Sequence, residues 1–245
     1  MKNFISELDT NRFGFRVAKI NTFNENLENE IIDLKNLGVK LIISRVKCND
    51  INLINKLEDL NFRIKDTQLT FLHDMKNMEE YFSEINNKND IVIELATVDD
   101  VEAVGKIASQ SFQGYGHYAA NKGLNKKKIN EIYVDWAQKS CIDKKVADYM
   151  FVAKIKNRIG GFLSLKIVND DEFIYGVQHL GAVDKEFRNM DIFRLLIKKC
   201  LIIGKEKNHN WQQTYLLSTN IPVIRSYLKI GFKISDSNHT MHCWI

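Results

Sequence analysis

NIPVIRSYLKIGF, residues 220–232, is the stretch from which the fold can be read. Its apolar residues recur at helical spacing from Ile221 to Leu228, and a strand begins near Phe232 after Gly231. Extended left to Ser218, it lies without a gap over an earlier segment, CNDINLINKLEDLNF, residues 48–62. Ile51 then matches Ile221, Ile54 matches Ile224 and Phe62 matches Phe232. Beyond the segment Ile64, Asp66 and Thr70 match Ile234, Asp236 and Thr240. A repeat at this distance reads as a duplicated strand–helix–strand unit. The earlier copy has Leu57 where the later copy has Tyr227, which makes the first copy a scaffold.

Working outward, periodicity predicts strands over Phe13–Ile20, Lys40–Lys47 and Arg63–His73, with helices over Leu27–Leu37 and Ile51–Leu60. A polar stretch to Asp90 follows. The pattern restarts with a strand at Ile91–Leu95 and helices over Val98–Ser111 and Lys126–Lys139. A hairpin pairs Met150–Lys156 with Ile159–Val168 around Asn157 and Arg158, and the next strand is Tyr175–Val183. A helix over Ile192–Lys205, a strand over Thr214–Leu217, the helix already quoted, and strands near Phe232–Ser235 and His239–Trp244 complete the series. Strands and helices interleaved in this way predict a mixed α/β sheet. The expected organisation is an N-terminal half-domain over 1–75, a connector over 76–90 and the main domain over 91–245.

Composition narrows the classes. The chain has 245 residues, 27% of them charged, with a formal charge of +4. That mild excess suits an anionic small ligand and falls short of the dense basic stripe of a nucleic-acid binder. The apolar runs near Leu195–Ile203 are broken by Lys198 and Lys199, so no membrane span is expected, and the N-terminus lacks the apolar core of a signal peptide. Cys48, Cys141, Cys200 and Cys243 form no CxxC or Cys/His pair. They read as thiols of a reducing cytoplasm, with no metal site.

The residues that suggest the chemistry lie in the expected main domain, in two segments. Val183 to Arg188, VDKEFR, followed by a basic apolar helix, resembles the acyl-CoA-binding motif of the GNAT N-acetyltransferases. Asn220, Tyr227, Gly231 and Phe232 resemble the second motif of that family. The resemblance spans about 155 of the 245 residues. With its truncated GNAT-like first domain, the whole chain resembles two-domain nucleotide-amino-sugar N-acyltransferases, such as those acting on dTDP-fucosamine. The resemblance implies a GNAT fold, acyl-CoA as co-substrate, and transfer of an acetyl or short hydroxyacyl group to the amine of a dTDP- or UDP-linked amino sugar for surface polysaccharide. A homodimer is compatible with it.

It also implies roles. Aminolysis of a thioester needs a neutral amine, a polarised carbonyl and a proton for the leaving thiolate. Tyr227 takes the place of the family's proton donor. Backbone groups of Leu180, Gly181, Ala182 and Val183 are expected to pair with the pantetheine arm as an added strand does. Arg188, Asn189, Met190, Asp191, Ile192 and Phe193 form the pyrophosphate turn at a helix N-terminus, and Asn220 completes the CoA set. The family turn has small residues where this chain has Asp191 and Phe193. Asp191 brings an unfavourable charge or serves as an N-cap, and Lys185, Arg188 and Arg194 can offset it.

On the amine side, SFQGYGHYAAN, residues 111–121, offers His117, Tyr118 and Asn121 for acceptor binding, and Gln178 joins them. His179 is a candidate base for the amine, Glu172 a weaker one, and a water chain an alternative to both. Other acceptors on the same fold, such as a protein N-terminus, a polyamine or an aminoglycoside, stay open. So does a GNAT-like binding module without catalysis.

Overall fold

The computed structural model describes residues 4–22, 26–76 and 91–245. The expected connector over 76–90 therefore lies, but for Lys76, outside the described residues. The nine described strands pair both parallel and antiparallel, and helices are interspersed among them in the chain, as in a mixed α/β protein. The chain divides into two compact units. Residues 1–69, 114–129 and 236–245 make the first, and 70–113 with 130–235 the second. Two segments that the sequence reading gave to the C-terminal domain thus cluster with the N-terminal residues.

The first unit holds α1 (Glu7–Phe13), β1 (Arg16–Ile20), α2 (Leu27–Asn36), β2 (Val39–Lys47), α3 (Ile51–Asp59) and most of β3 (Arg63–Asp74). It also holds the short α5 (Gly116–Ala119) and most of β9 (Lys233–Trp244). Its strand order is β1-β2-β9-β3. β1 runs parallel to β2, while β9 pairs antiparallel with β2 from Leu41–Trp244 to Lys47–Asn238. One face of this sheet buries Ala18, Ile42 and Val46 with Leu34 of α2, Ile54 and Leu57 of α3, Phe62, Met241 and Cys243. α1 was not expected from the sequence. Ser6 caps it by accepting from the Asp9 N–H, and Gly14 closes it at φ 80°.

The second unit continues β3 and adds β4 (Val92–Leu95), α4 (Val101–Ser111), β5 (Tyr149–Ile155), β6 (Arg158–Asn169) and β7 (Ile174–Val183). It also contains α7 (Ile192–Glu206), β8 (Trp211–Leu217) and α8 (Ile221–Lys229), and α6 (Lys126–Ile142) begins in the first unit and ends in this one. The strand order is β3-β8-β7-β6-β5-β4. The β5–β6 turn is centred on Lys156 and Asn157, both at positive φ, so Arg158 already pairs with Ile155. That is one residue earlier than expected. It is the left-handed pair of a tight hairpin.

The duplication is visible element by element. α3 and α8 each have nine residues, β3 and β9 each twelve, and all four boundaries are displaced by 170 residues (51 to 221, 59 to 229, 63 to 233, 74 to 244). Each helix ends the same way. Asn61 and Gly231 take positive φ, and the N–H groups of Phe62 and Phe232 reach back to the carbonyls of Leu57 and Tyr227.

Candidate active site

The first feature of the second unit lies between its two parallel strands. β7 and β8 pair from Tyr175–Trp211 to Gln178–Thr214, where the Thr214 hydroxyl donates to the Gln178 carbonyl at 2.8 Å. β7 continues to Val183 and β8 to Leu217, yet among the described residues no ladder pair joins them further on. On its other edge β7 stays bound to β6 through Gly181–Leu163, Ala182–Phe162 and Val183–Gly161. The register shifts between Leu163 and Leu165, so His179 and Leu180 together face Ser164, as in a β-bulge. There the Leu180 N–H donates to the Ser164 hydroxyl at 3.0 Å. The edge of residues 180–183 turned toward β8 therefore has backbone polar groups able to receive an extended ligand.

The turn after β7 follows. Asp184 accepts from the Glu186 N–H in the single helical turn Lys185–Phe187, and Arg188 returns to extended backbone. Asn189 and Asp191 then both adopt left-handed conformation, φ 65° and 58°. Asparagine and aspartate tolerate this region better than other residues with a β-carbon, so the turn keeps a glycine-like path without glycine. Asp191 occupies the N-cap position of α7, but its side chain makes no capping bond. It binds Arg194 instead, accepting from Nε at 2.9 Å and from Nη2. Of the two readings of Asp191, the side chain does not cap, and its charge is offset by Arg194, one of the cations expected to do so. The first-turn N–H groups of Ile192, Phe193 and Arg194 precede any intrahelical acceptor, and with the helix dipole they favour an anion.

Phe193 does not project from the turn into open space. A β-carbon added to Gly181 would lie 2.9 Å from the edge of its ring. The same ring stands edge-on to Tyr227, with centroids 5.8 Å apart. Phe193, together with Leu163, whose Cδ1 would lie nearer at 2.6 Å, therefore fills the room that a side chain at Gly181 would need.

Tyr227, on the inner face of α8, is 1% exposed and packs against Phe71, Phe193 and Phe232. Its hydroxyl donates to Gln178 Oε1 at 2.9 Å. Gln178 Nε2 donates to Gln212 Oε1 at 2.7 Å, and Gln212 Nε2 donates to the Cys200 carbonyl at 2.6 Å. Gln178, expected to contact the acceptor, is instead fully buried, with its amide engaged on both sides. Gln212 and the Cys200 carbonyl were missed by the sequence reading. A glutamine facing the core of an apolar strand was the available signal.

His179 lies beside Trp136 of α6, with ring centroids 5.8 Å apart. Burial, reinforced by the charge of Lys166, lowers its pKa, so the imidazole is neutral and able to accept a proton near pH 7. Glu172 sits exposed in the β6–β7 turn. Asn220 is at the N-cap of α8 without a side-chain capping bond, and its N–H donates to the Leu217 carbonyl at 2.9 Å. Among the described residues no cluster of His, Cys, Asp or Glu is suited to a metal, and no helix is long and apolar enough to cross a membrane. All four cysteines are free.

His117, Tyr118 and Asn121 belong to the first unit, in a partly buried polar network of their own. Trp244 Nε1 can only donate, and it meets Asn121 Oδ1 at 3.1 Å. Asn121 Nδ2 must then donate to His242 Nδ1, at 2.8 Å, which leaves His242 Nε2 to donate to His117 Nδ1, also at 2.8 Å. Tyr118 donates to Asp9 at 2.7 Å, and Lys19 reaches the other oxygen of that carboxylate at 2.6 Å. Burial alone would raise the Asp9 pKa, but Lys19, Tyr118 and Ser6 hold it below the usual value. Asp9, His242 and Trp244 had no motif to reveal them.

No protein-family model matches the chain, and neither does any curated protein. Solved structures do. A functionally unknown conserved protein from Staphylococcus epidermidis ATCC 12228 superposes with a TM-score of 0.56 at 17% identity, over 93% of this chain and 83% of that one. A tandem GNAT protein from the clavulanic acid biosynthesis pathway gives 0.64 at 12% identity, over 93% and 75%. A GNAT glucosamine N-acetyltransferase region of a fungal multi-domain β-N-acetylglucosaminidase gives 0.66 at 12% identity, over 98% of this chain and 30% of that protein. The mixed α/β sheet with its helices thus has a GNAT-like fold.

Proposed function

We propose that this chain is an acyl-CoA-dependent N-acyltransferase, and that its acceptor is the amine of a nucleotide-linked amino sugar. The observation that carries the reading is the parting of β7 from β8 after Gln178–Thr214. It lies on the strand that leads into the left-handed turn before α7. The free edge of residues 180–183 suits the amides of a pantetheine arm, and the α7 N-terminus suits a pyrophosphate, with Arg188 nearby.

The transfer is a direct attack. The neutral amine adds to the thioester carbonyl, forming the C–N bond, and collapse of the adduct breaks the C–S bond. His179 takes the proton released by the nitrogen. Tyr227 turns its O–H from Gln178 Oε1 to the sulfur and gives its phenolic proton to the thiolate, and solvent returns the proton from imidazolium to phenolate. The overall charge of +4 agrees with an anionic acceptor such as a sugar nucleotide, and the free thiols agree with a cytoplasmic setting.

A thiol-release assay of the purified protein, with acetyl-CoA and a panel of amines, tests the reading. Release that depends on dTDP- or UDP-linked amino sugars is expected. Release with polyamines or peptides alone would move the acceptor class. No release with any pair, together with no acyl-CoA binding by calorimetry, would end the enzyme reading.

A further inference from the structure

We propose that the face of the β7–β8 pair carrying His179 is the acceptor site, and that it binds a sugar nucleotide lengthwise, base at the Trp211 end and amine at the His179 end; this rests on the acyltransferase reading above. The two proton-transfer groups select the face. Gln178 and Gln212 turn toward α7 and α8, where Gln212 meets the Cys200 carbonyl and Gln178 meets the Tyr227 hydroxyl. His179, the next residue of β7, turns to the other side of the sheet and meets Trp136 of α6. The proton donor thus stands on one side of the parting strands and the proton acceptor on the other. An amine that is to lose its proton to His179 approaches from the His179 side.

Side chains alternate along a strand, so Tyr175 and Val177 share this face with Trp211, Gln213 and Tyr215 of β8. At its far end Trp211 stacks on Tyr175, centroids 4.7 Å apart and planes 12° apart, and Phe173 tilts against the indole at 5.3 Å. All three rings are half-exposed. A platform of this kind takes the flat face of a nucleobase. One step along, Lys166 and Gln213 flank Val177 across β6, β7 and β8. Trp211 Nε1 can only donate, and it meets Gln213 Oε1 at 3.2 Å. Gln213 Nε2 is thereby turned to the Tyr215 hydroxyl, at 2.8 Å, and the amide is fixed in one orientation. Lys166 Nζ is tethered by the Lys144 carbonyl at 2.8 Å and by Asp148 at 3.2 Å, and its charge is felt at His179. A cation and an oriented amide suit a diphosphate. Another step leads to His179, Trp136 and Tyr215, beside the parting. From Tyr175 to His179 is four residues of strand, about 13 Å, so the site is long and calls for an extended ligand. The duplication supplies an internal comparison. The positions 170 residues before Trp211 and Gln213 are Leu41 and Ile43, both buried. The equivalent strand is thus built there with an apolar, covered face, and the fold does not require the indole or the amide.

The test is calorimetry with UDP and dTDP, the base-and-diphosphate part of the ligand, at saturating CoA so that the α7 turn is already occupied. The wild-type protein should bind one equivalent of at least one of them. Trp211→Ala should weaken that binding by roughly tenfold to a hundredfold, the range for removing one base–aromatic contact, while Trp211→Phe keeps most of it. Gln213→Leu should weaken it by about tenfold. In kinetics with the sugar nucleotide that supports thiol release, both losses should appear mainly in KM for that acceptor, with acyl-CoA affinity unchanged. Thermal melts establish that each variant is folded; if Trp211→Ala is not, Gln213→Leu and Trp211→Phe carry the test. Wild-type nucleotide affinity in Trp211→Ala and Gln213→Leu would overturn the proposal. If the protein binds acyl-CoA but neither nucleotide, only this inference falls and the acyltransferase keeps another acceptor. If it binds no acyl-CoA, the acyltransferase reading falls, and this inference with it.

Discussion

Tyr227 and Phe have the same shape, and the aromatic cage of Phe71, Phe193 and Phe232 holds the ring rather than the hydroxyl. Tyr227→Phe should therefore leave acyl-CoA binding unchanged and lower kcat and kcat/KM together by roughly 10–100-fold. A thiolate leaves fairly well unaided, which keeps the loss near the lower end. Steady-state kinetics beside calorimetry checks this, and full turnover in the variant would reduce Tyr227 to a packing residue. At Asp191 two effects point the same way. Glycine adopts φ near 58° without strain, and its introduction removes a carboxylate while releasing Arg194 from the ion pair. Asp191→Gly should tighten acyl-CoA binding, an outcome calorimetry reads directly; equal or weaker affinity would mean that the Asp191–Arg194 pair itself shapes the turn.

Among the elements, Gly181 of β7 and Phe193 of α7 form a matched pair. Phe193→Ala should destabilise by about 3 kcal/mol, the low end for truncating a phenylalanine, because the ring is half-buried. Gly181→Leu alone should also destabilise, since its β-carbon would meet Phe193 and Leu163. Combined, the two changes should cost less than the sum of the singles, as urea melts would show; additive losses would mean that the residues do not share one space. Most elements were legible because apolar periodicity survives in short windows, and the repeat added a check at 170 residues. α1 was not legible, being seven largely polar residues held by a Ser6 cap and Gly14. β9 read as two strands because Asp236, Ser237 and Asn238 look like a break, although Asn238 remains paired with Lys47. The hydrogen bonds of Gln178 to Gln212 and Tyr227 join positions 34 and 49 residues apart, so no local pattern could have announced them. The acceptor candidates His117, Tyr118 and Asn121 were visible as residue types, but their bonds to His242 and Asp9 depend on long-range pairing.

For the whole molecule, the histidines set the response to acid. Burial, the first cause in each, lowers the pKa of His73, His117, His179, His209 and His242, the last to about 3. In the unfolded chain these groups titrate near 6.5. Below that value the unfolded state binds more protons than the folded one, so stability is full above about pH 6.5 and falls as pH drops toward the folded values. Each unprotonated histidine costs about 1.4 kcal/mol per pH unit in that window. With His117 and His242 alone, Tm should fall by roughly 5–10 °C per unit between pH 6 and 5. Scanning calorimetry across that range tests it, and a flat Tm would mean that the folded protein accepts those protons. The discontinuous first unit has a further consequence, for synthesis on the ribosome. Residues 236–245 complete its sheet and contribute Met241 and Cys243 to its core, yet they are translated only after the entire second unit. The unit that emerges first is thus finished last. Until then the nascent chain carries β2 with its pairing edge exposed and its apolar face incompletely covered, which is the condition under which a chaperone is needed.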